Sequence, residues 1–337
     1  MAPMTRSRAL DNIPNDLMAK YYGQRSGAGL IITEGTAPME DGLGYPRIPG
    51  IYSDKQVQGW KKVTDAVHQG GSKIFLQLMH TGRIAHQDNI PKGGRILAPS
   101  AIRAEGQMFT DTKGLQDYPE PNVLTVKDIM RTTEGFVRAA ENAINAGFDG
   151  VEIHGAHGYL MEQFLNPHTN KRQDGYGGTL ENRARFVVDT VQAVSQAIGK
   201  DKVGIRLSPY GTVNDQPLYD PEQVERTYSY LAGRFDDAGI LYIHLSTNPQ
   251  APDPMFWAIR KLFKGIIIQC NGLTPETAGQ ALEGFADLAA FARSWLANPD
   301  LNRRIKMGAE LNAPKPDFFY TPGAKGYTDY PTLNQVP

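Results

Sequence analysis

Cysteine is almost absent from this sequence: Cys270 is the only one in 337 residues. A lone thiol cannot close an internal disulfide, which excludes a stapled scaffold and points to a cytoplasmic setting. A charge excess is lacking too, since Lys+Arg 35 against Asp+Glu 36 leaves a net charge of −1. Without a basic surplus there is no electrostatic footprint for nucleic acid or for an anionic membrane. No apolar run reaches the roughly 18 residues that cross a bilayer, and no signal-peptide pattern opens the chain. Also missing is a G-x-G-x-x-G turn after the first apolar run, the mark of an open dinucleotide-binding sheet. What remains is an enzyme acting on small molecules.

The chain does contain a regular series of short, nearly continuous apolar runs: Gly29–Gly35, Lys73–His80, Gly150–His154, Val203–Pro209, Leu241–Ser246, Gly265–Cys270 and Leu288–Arg293. Such runs suit parallel strands buried on both faces. Met1–Arg6 is the candidate for a strand at the very start. Amphipathic helices separate most of the runs. The clearest has Thr179 as N-cap and places Ala184, Val187, Val188, Val191, Val194 and Ile198 at helical spacing. Strand and helix in alternation predict an α/β fold, a (β/α)8 TIM barrel forming a single domain over residues 1–337. The alternation breaks at residues 81–126, a Pro- and Gly-bearing stretch after the third strand (counting Met1–Arg6 as the first). Its length suits a capping insertion or lid.

Barrel chemistry lies at the C-terminal strand ends. There the sequence offers Thr5, Thr33 to Gly35, Gln77 with His80, His154 with His157, Arg206, His244 to Ser246, Asn271 with Gly272, and Arg293. His154, His157 and Tyr159 form H-x-x-H-x-Y. Two imidazoles in one turn can donate to a single carbonyl or nitro oxygen, hold a metal, or serve only to satisfy a loop. A metal lacks a third local ligand. Tyr159 offers a phenol as proton donor. The Asn271-Gly272 turn, the helix start at Thr274-Pro275 and Arg293 match the phosphate site that barrels build from their last two loops. Arg206 needs an anion, a carbonyl or an acidic partner, and Gln77 suits an amide-like edge such as a flavin pyrimidine.

Longer stretches carry a resemblance. Met1-Ala-Pro-Met-Thr-Arg6, Gly29-Leu-Ile-Ile-Thr-Glu34, Gln77-Leu-Met-His-Thr-Gly-Arg83 and His154-Gly-Ala-His-Gly-Tyr159 occur in order. Phe164-Leu-Asn-Pro, the stretch Asp174 to Arg183, Arg206-Leu-Ser-Pro209, Ala297-Asn-Pro-Asp300 and Gly326-Tyr-Thr-Asp-Tyr-Pro331 follow. Over essentially the whole chain this resembles the old yellow enzyme family of FMN-dependent ene-reductases. The resemblance implies tightly bound, non-covalent FMN across the barrel mouth and NADPH or NADH as hydride donor. The substrates would be enones, enals or nitroalkenes, and the protein a monomer or homodimer.

By that resemblance Pro3, Met4, Thr5, Gly35, Gln77, Arg206, Asn271, Gly272, Ala292 and Arg293 contact FMN. His154 and His157 bind the substrate oxygen, Tyr159 protonates it at carbon, and Tyr45 and Tyr320 line the substrate pocket. Two departures bear on this. The segment that family members normally carry before Met-Ala-Pro does not precede Met1 here, either because the start is set at an internal methionine or because the form is shortened. The first strand is expected to be incomplete and, in the second case, the barrel floor less covered. Asn271 stands where Gly is common, and Asn tolerates the positive φ that such a turn requires. Cys270 is expected to be a small buried filler. The alternatives are a flavin-binding but impaired homologue, a pathway-specific reductase of a natural-product enal or enone, and a phosphate-binding aldolase or isomerase. The last lacks a lysine at a strand end.

Overall fold

The computed structural model describes residues 1–248 and 251–335. In chain order the strands are β1 (Leu30–Ile32), β2 (Lys73–Leu78), β3 (Leu97–Ala98), β4 (Gln107–Thr110), β5 (Gly114–Asp117), β6 (Asn122–Val123), β7 (Gly150–Gly155), β8 (Val203–Leu207), β9 (Tyr242–Ser246), β10 (Ile266–Cys270) and β11 (Leu288–Ala290). The helices are α1 (Asp16–Gly23), α2 (Asp54–Gln69), α3 (Val126–Asn145), α4 (Leu160–Leu165), α5 (Leu180–Ile198), α6 (Pro221–Ala238), α7 (Asp253–Leu262), α8 (Pro275–Glu283), α9 (Arg293–Ala297) and α10 (Leu301–Met307).

Seven strands pair in the order β1-β2-β7-β8-β9-β10-β11, all parallel. Each lies within one of the seven apolar runs, except that β7 continues one residue further, to Gly155. Strands β7, β8 and β9 are buried at every position, which explains their continuous rather than alternating hydrophobicity. The first residues close the ring. Ile32 N–H donates to Met1 O at 3.0 Å, Ala2 N–H donates to Phe291 O at 2.9 Å, and the Met1 ammonium donates to Leu30 O at 2.6 Å. Met1 and Ala2 thus bridge the two sheet edges. Beside that bridge lies a cavity of about 470 Å³ lined by Met1, Leu30, Ile32, Ile268, Leu288 and Trp295.

The helix starts follow local chemistry. Ser53 with Gln56, and Thr125 with Asp128, form capping boxes at α2 and α3. Thr179 caps α5 through the Asn182 N–H, and Ala184, Val187, Val188, Val191 and Val194 of that helix are buried, as the periodicity predicts. Thr274 caps α8 with Pro275 at its first position. Residues 81–126 are not a featureless loop. They contain the parallel pair β3–β6 and the antiparallel hairpin β4–β5, which reaches over the barrel mouth. Among the described residues no helix is long and apolar enough to cross a membrane.

Candidate active site

Strand β7 delivers His154 at its end, and the turn that follows brings His157 and Tyr159 alongside it. The imidazole centroids lie 5.5 Å apart, and the Tyr159 ring is 4.9 Å from His154. The turn is left-handed at two successive residues, His157 (φ 58°) and Gly158 (φ 73°). A Cβ at Gly158 would sit 2.6 Å from Val213 O, so glycine is required there. Glu162 and Ser208 hold the turn: Gly158 N–H donates to Glu162 Oε2 at 2.6 Å and His157 N–H to Ser208 Oγ at 2.9 Å. Ser208 in turn donates to Glu162 Oε1 at 2.8 Å.

Electrostatics keep both imidazoles neutral. Burial pushes His154 and His157 well below the ordinary histidine value, and the Arg206 and His244 charges add to it. His154 Nδ1 lies 3.3 Å from the Ala156 N–H, an acceptor's position, which assigns the ring proton to Nε2. His157 Nε2 lies 2.9 Å from Ser246 Oγ. Burial likewise raises Tyr159, so its phenol stays protonated, and it donates to Tyr45 Oη at 3.0 Å.

Two cavities flank this turn. One, of about 410 Å³, is lined by His157, Arg206, Ser246, Asn271, Gly272, Ala292 and Arg293 among others. It gathers residues from the ends of β8, β9, β10 and β11. Asn271 has φ 101°, the positive value its replacement of glycine was expected to allow, and its side chain donates to Thr247 O at 2.7 Å. The other cavity, of about 730 Å³, is lined by Thr5, Tyr45, Tyr159 and Tyr320 together with Met108, Phe109 and Leu115 of the hairpin. Arg47 pairs with Asp111 and donates to Tyr320 O at 2.8 Å, tying hairpin and tail together at the rim.

Arg206 tests whether an anionic or carbonyl-rich cofactor fits. Its side chain is buried, no acidic partner lies within ion-pair distance among the described residues, and its Nε is without a partner. The internal salt bridge left open by the sequence is therefore not formed. Its Nη2 donates to Cys270 Sγ at 3.6 Å; Cys270 is buried in an apolar cluster, the filler expected of it, and accepts this hydrogen bond as well. A buried cation with unused donors requires a ligand such as the flavin N1–C2=O edge or a phosphate. Gln77 is buried close by and donates to Glu152 Oε1 at 2.8 Å. No group of acidic, histidine or cysteine side chains suited to a metal occurs among the described residues.

Other strand-end candidates do not meet here. A Cβ at Gly35 would fall 2.5 Å from Met79 Sδ, so the space at that glycine is used by Met79. Met4 packs toward Leu296, Ala297 and Tyr330, and Pro3 is buried beside it. His80 is buried, with its pKa pushed down to about 4 by desolvation. Sequence reasoning missed Glu152 and Glu162. The period of two along β7 puts Glu152 on the same face as His154, and that signal was available.

The chain as a whole is similar to known proteins in sequence and in fold. Residues 1–312 match the NADH:flavin oxidoreductase / NADH oxidase family. The chain is 42% identical to a probable flavin mononucleotide-dependent alkene reductase of Leishmania infantum, covering 99% of this chain and 93% of that one. It is 41% identical to 12-oxophytodienoate reductase 1 of Oryza sativa subsp. japonica, over 100% of this chain and 89% of the relative. A structure of morphinone reductase in complex with tetrahydroNAD superposes with a TM-score of 0.94 at 42% identity, covering 99% and 93% of the two chains. An old yellow enzyme homologue from Zymomonas mobilis gives 0.94 at 40% identity, covering 99% and 95%.

Proposed function

The chain belongs to the NADH:flavin oxidoreductase / NADH oxidase family, and from that premise we propose how its residues perform FMN-dependent reduction of activated alkenes. When bound, FMN would supply the redox chemistry, the transfer of hydride from NADH or NADPH to the β carbon of an enone, enal or nitroalkene. The protein supplies orientation, proton transfer and electrostatics. Arg206 and Gln77 would hold the pyrimidine edge, and the Asn271-Gly272 turn with Ala292 and Arg293 the phosphate. Thr5, which lines the larger cavity, would form the near wall.

Neutral His154 and His157 donate N–H groups to the substrate's carbonyl or nitro oxygen. That oxygen gains negative charge as the double bond is reduced, so the bonds strengthen in the transition state and speed the step preferentially. Tyr159 delivers the proton to the α carbon. Tyr45, Tyr320 and the hairpin residues enclose the rest of the substrate. Both half-reactions share one pocket, which implies ping-pong kinetics.

The observation that carries this reading is the turn His154–Tyr159 standing between an Arg206-lined cavity and an apolar one. The test is an absorbance spectrum of purified protein, followed by anaerobic NADPH or NADH and then 2-cyclohexenone. A flavin spectrum that bleaches and then recovers is the expected result. A colourless protein that takes up no added FMN would overturn the reading.

A further inference from the structure

Gln77 and Glu152 sit opposite each other on adjacent parallel strands β2 and β7. Glu152 is fully buried, and both of its oxygens are engaged across the barrel. Oε1 accepts from Gln77 Nε2 at 2.8 Å, and Oε2 lies 2.8 Å from His244 Nδ1 on β9. Burial opposes the charge on each, yet the facing Glu152 carboxylate lifts His244 above the ordinary histidine value. The His244 charge in turn holds Glu152 below the ordinary carboxylate value. Arg206, in the same interior, adds a second positive charge beside them.

An ionised carboxylate accepts hydrogen bonds and cannot donate them. The Gln77 amide therefore has its nitrogen toward Glu152 and its oxygen turned away. A flavin pyrimidine edge presents a donor, N3–H, between two carbonyl acceptors, so an amide oxygen is what that donor requires. On the reading that Gln77 holds this edge, we propose that Glu152 is a positioning residue, locking the Gln77 amide in the one orientation that accepts from N3–H. Glu152→Gln would remove the lock: the amide facing position 77 could then donate as well as accept. Gln77 could turn over and set N–H against N–H.

The test is a double-mutant cycle on FMN affinity, read by fluorescence quenching when FMN is added to the apoprotein. Gln77→Ala and Glu152→Gln are each expected to weaken binding about tenfold, a hydrogen bond's ordinary contribution. The double variant should bind no more weakly than Gln77→Ala alone, because Glu152 acts only through Gln77. Losses that multiply to about a hundredfold would overturn the proposal. Unchanged affinity in Gln77→Ala would instead overturn the assignment of Gln77 itself, and the proposal with it. Should Glu152→Gln fail to fold, wild-type protein loaded with ¹⁵N3-labelled FMN answers the same question. Its N3–H proton should be resolved and slow to exchange, and rapid exchange with water would sink the idea.

Discussion

Replacing Tyr159 by Phe removes one oxygen from the wall between the two cavities and leaves the ring in place. The hydroxyl is buried, raised in pKa and bonded to Tyr45, so it is a held proton rather than a solvated one. Loss of a positioned acid costs about a hundredfold or more in the step it serves. Tyr159→Phe should therefore slow reoxidation of the reduced flavin by 2-cyclohexenone about a hundredfold in stopped flow. Flavin reduction by NADH or NADPH needs no such proton and should change by less than about threefold. Equal losses in both half-reactions would remove the proton-donor role. Ser208 offers a complementary case, because it holds the turn by hydrogen bonds while also lining the Arg206 cavity. It links the His157 N–H to Glu162. Ser208→Ala should raise KM for enone several-fold with a smaller effect on kcat, since the imidazole is loosened rather than removed.

At the scale of elements, the tail and the N-terminal segment hold each other. The rings of Tyr21 and Tyr327 stack at 4.0 Å, Arg25 lies 3.8 Å from the Tyr21 ring, and Arg8 lies 4.7 Å from the Tyr327 ring. Arg6 donates to Gly326 O at 2.8 Å and Arg8 to Phe318 O at 2.8 Å. This stack keeps Thr5 and Tyr320 at one cavity. Tyr327→Ala should cost about 3–5 kcal/mol as a buried aromatic truncation, with cation–π losses added, read as a fall in denaturation midpoint and raised KM. Unaltered stability would show that the stack contributes nothing. The hairpin makes a second case. Phe109 and Leu115 are half exposed or more at the cavity rim, so a bulky apolar enone covers them on binding. Phe109→Ser should raise KM for such an enone about tenfold and leave 2-cyclohexenone nearly untouched.

These elements also mark what was legible in the sequence. The seven strands of the main sheet, though not the one expected at Met1–Arg6, the Thr179 and Thr274 caps, the Asn271 turn and the H-x-x-H-x-Y cluster were readable because each depends on residues within one or two turns. The hairpin inside 81–126 was not, since its four-residue strands carry little hydrophobic alternation. The Glu152–His244 pair joins residues 92 positions apart, and Arg8 to Phe318 spans 310. Contacts of that span follow from strand register and barrel closure, which a local pattern does not encode. Arg206 was half legible: its need for a partner could be read, but not that Cys270 supplies one.

The molecule as a whole carries buried titratable groups of opposite tendency, and their pH dependences can be separated. Burial raises Glu162 to about 7, with Gly158, Ser208 and Tyr228 donating to it and no cation beside it; burial also raises Glu34 to about 7, against the opposing pull of Arg6, Tyr22 and Arg8. The folded state then binds protons that the unfolded chain releases above its ordinary carboxylate value of 4.5. Each carboxyl therefore subtracts stability as pH rises from that value to about 7, by about 3 kcal/mol in all. His80 works the other way: held neutral with a pKa near 4, it adds stability as pH rises from there to the ordinary value of 6.5. The net curve is flattened by this opposition, so a single variant must isolate one term. Glu162→Gln cannot ionise, and its neutral amide keeps much of the packing. Its melting temperature relative to wild type should improve by roughly 5 °C between pH 5 and pH 8, because only the wild type carries the Glu162 loss over that range, while the Glu34 and His80 effects are common to both. A constant difference across those pH values would mean that Glu162 titrates as an ordinary carboxylate and that the turn holding His157 and Tyr159 rests on a full charge.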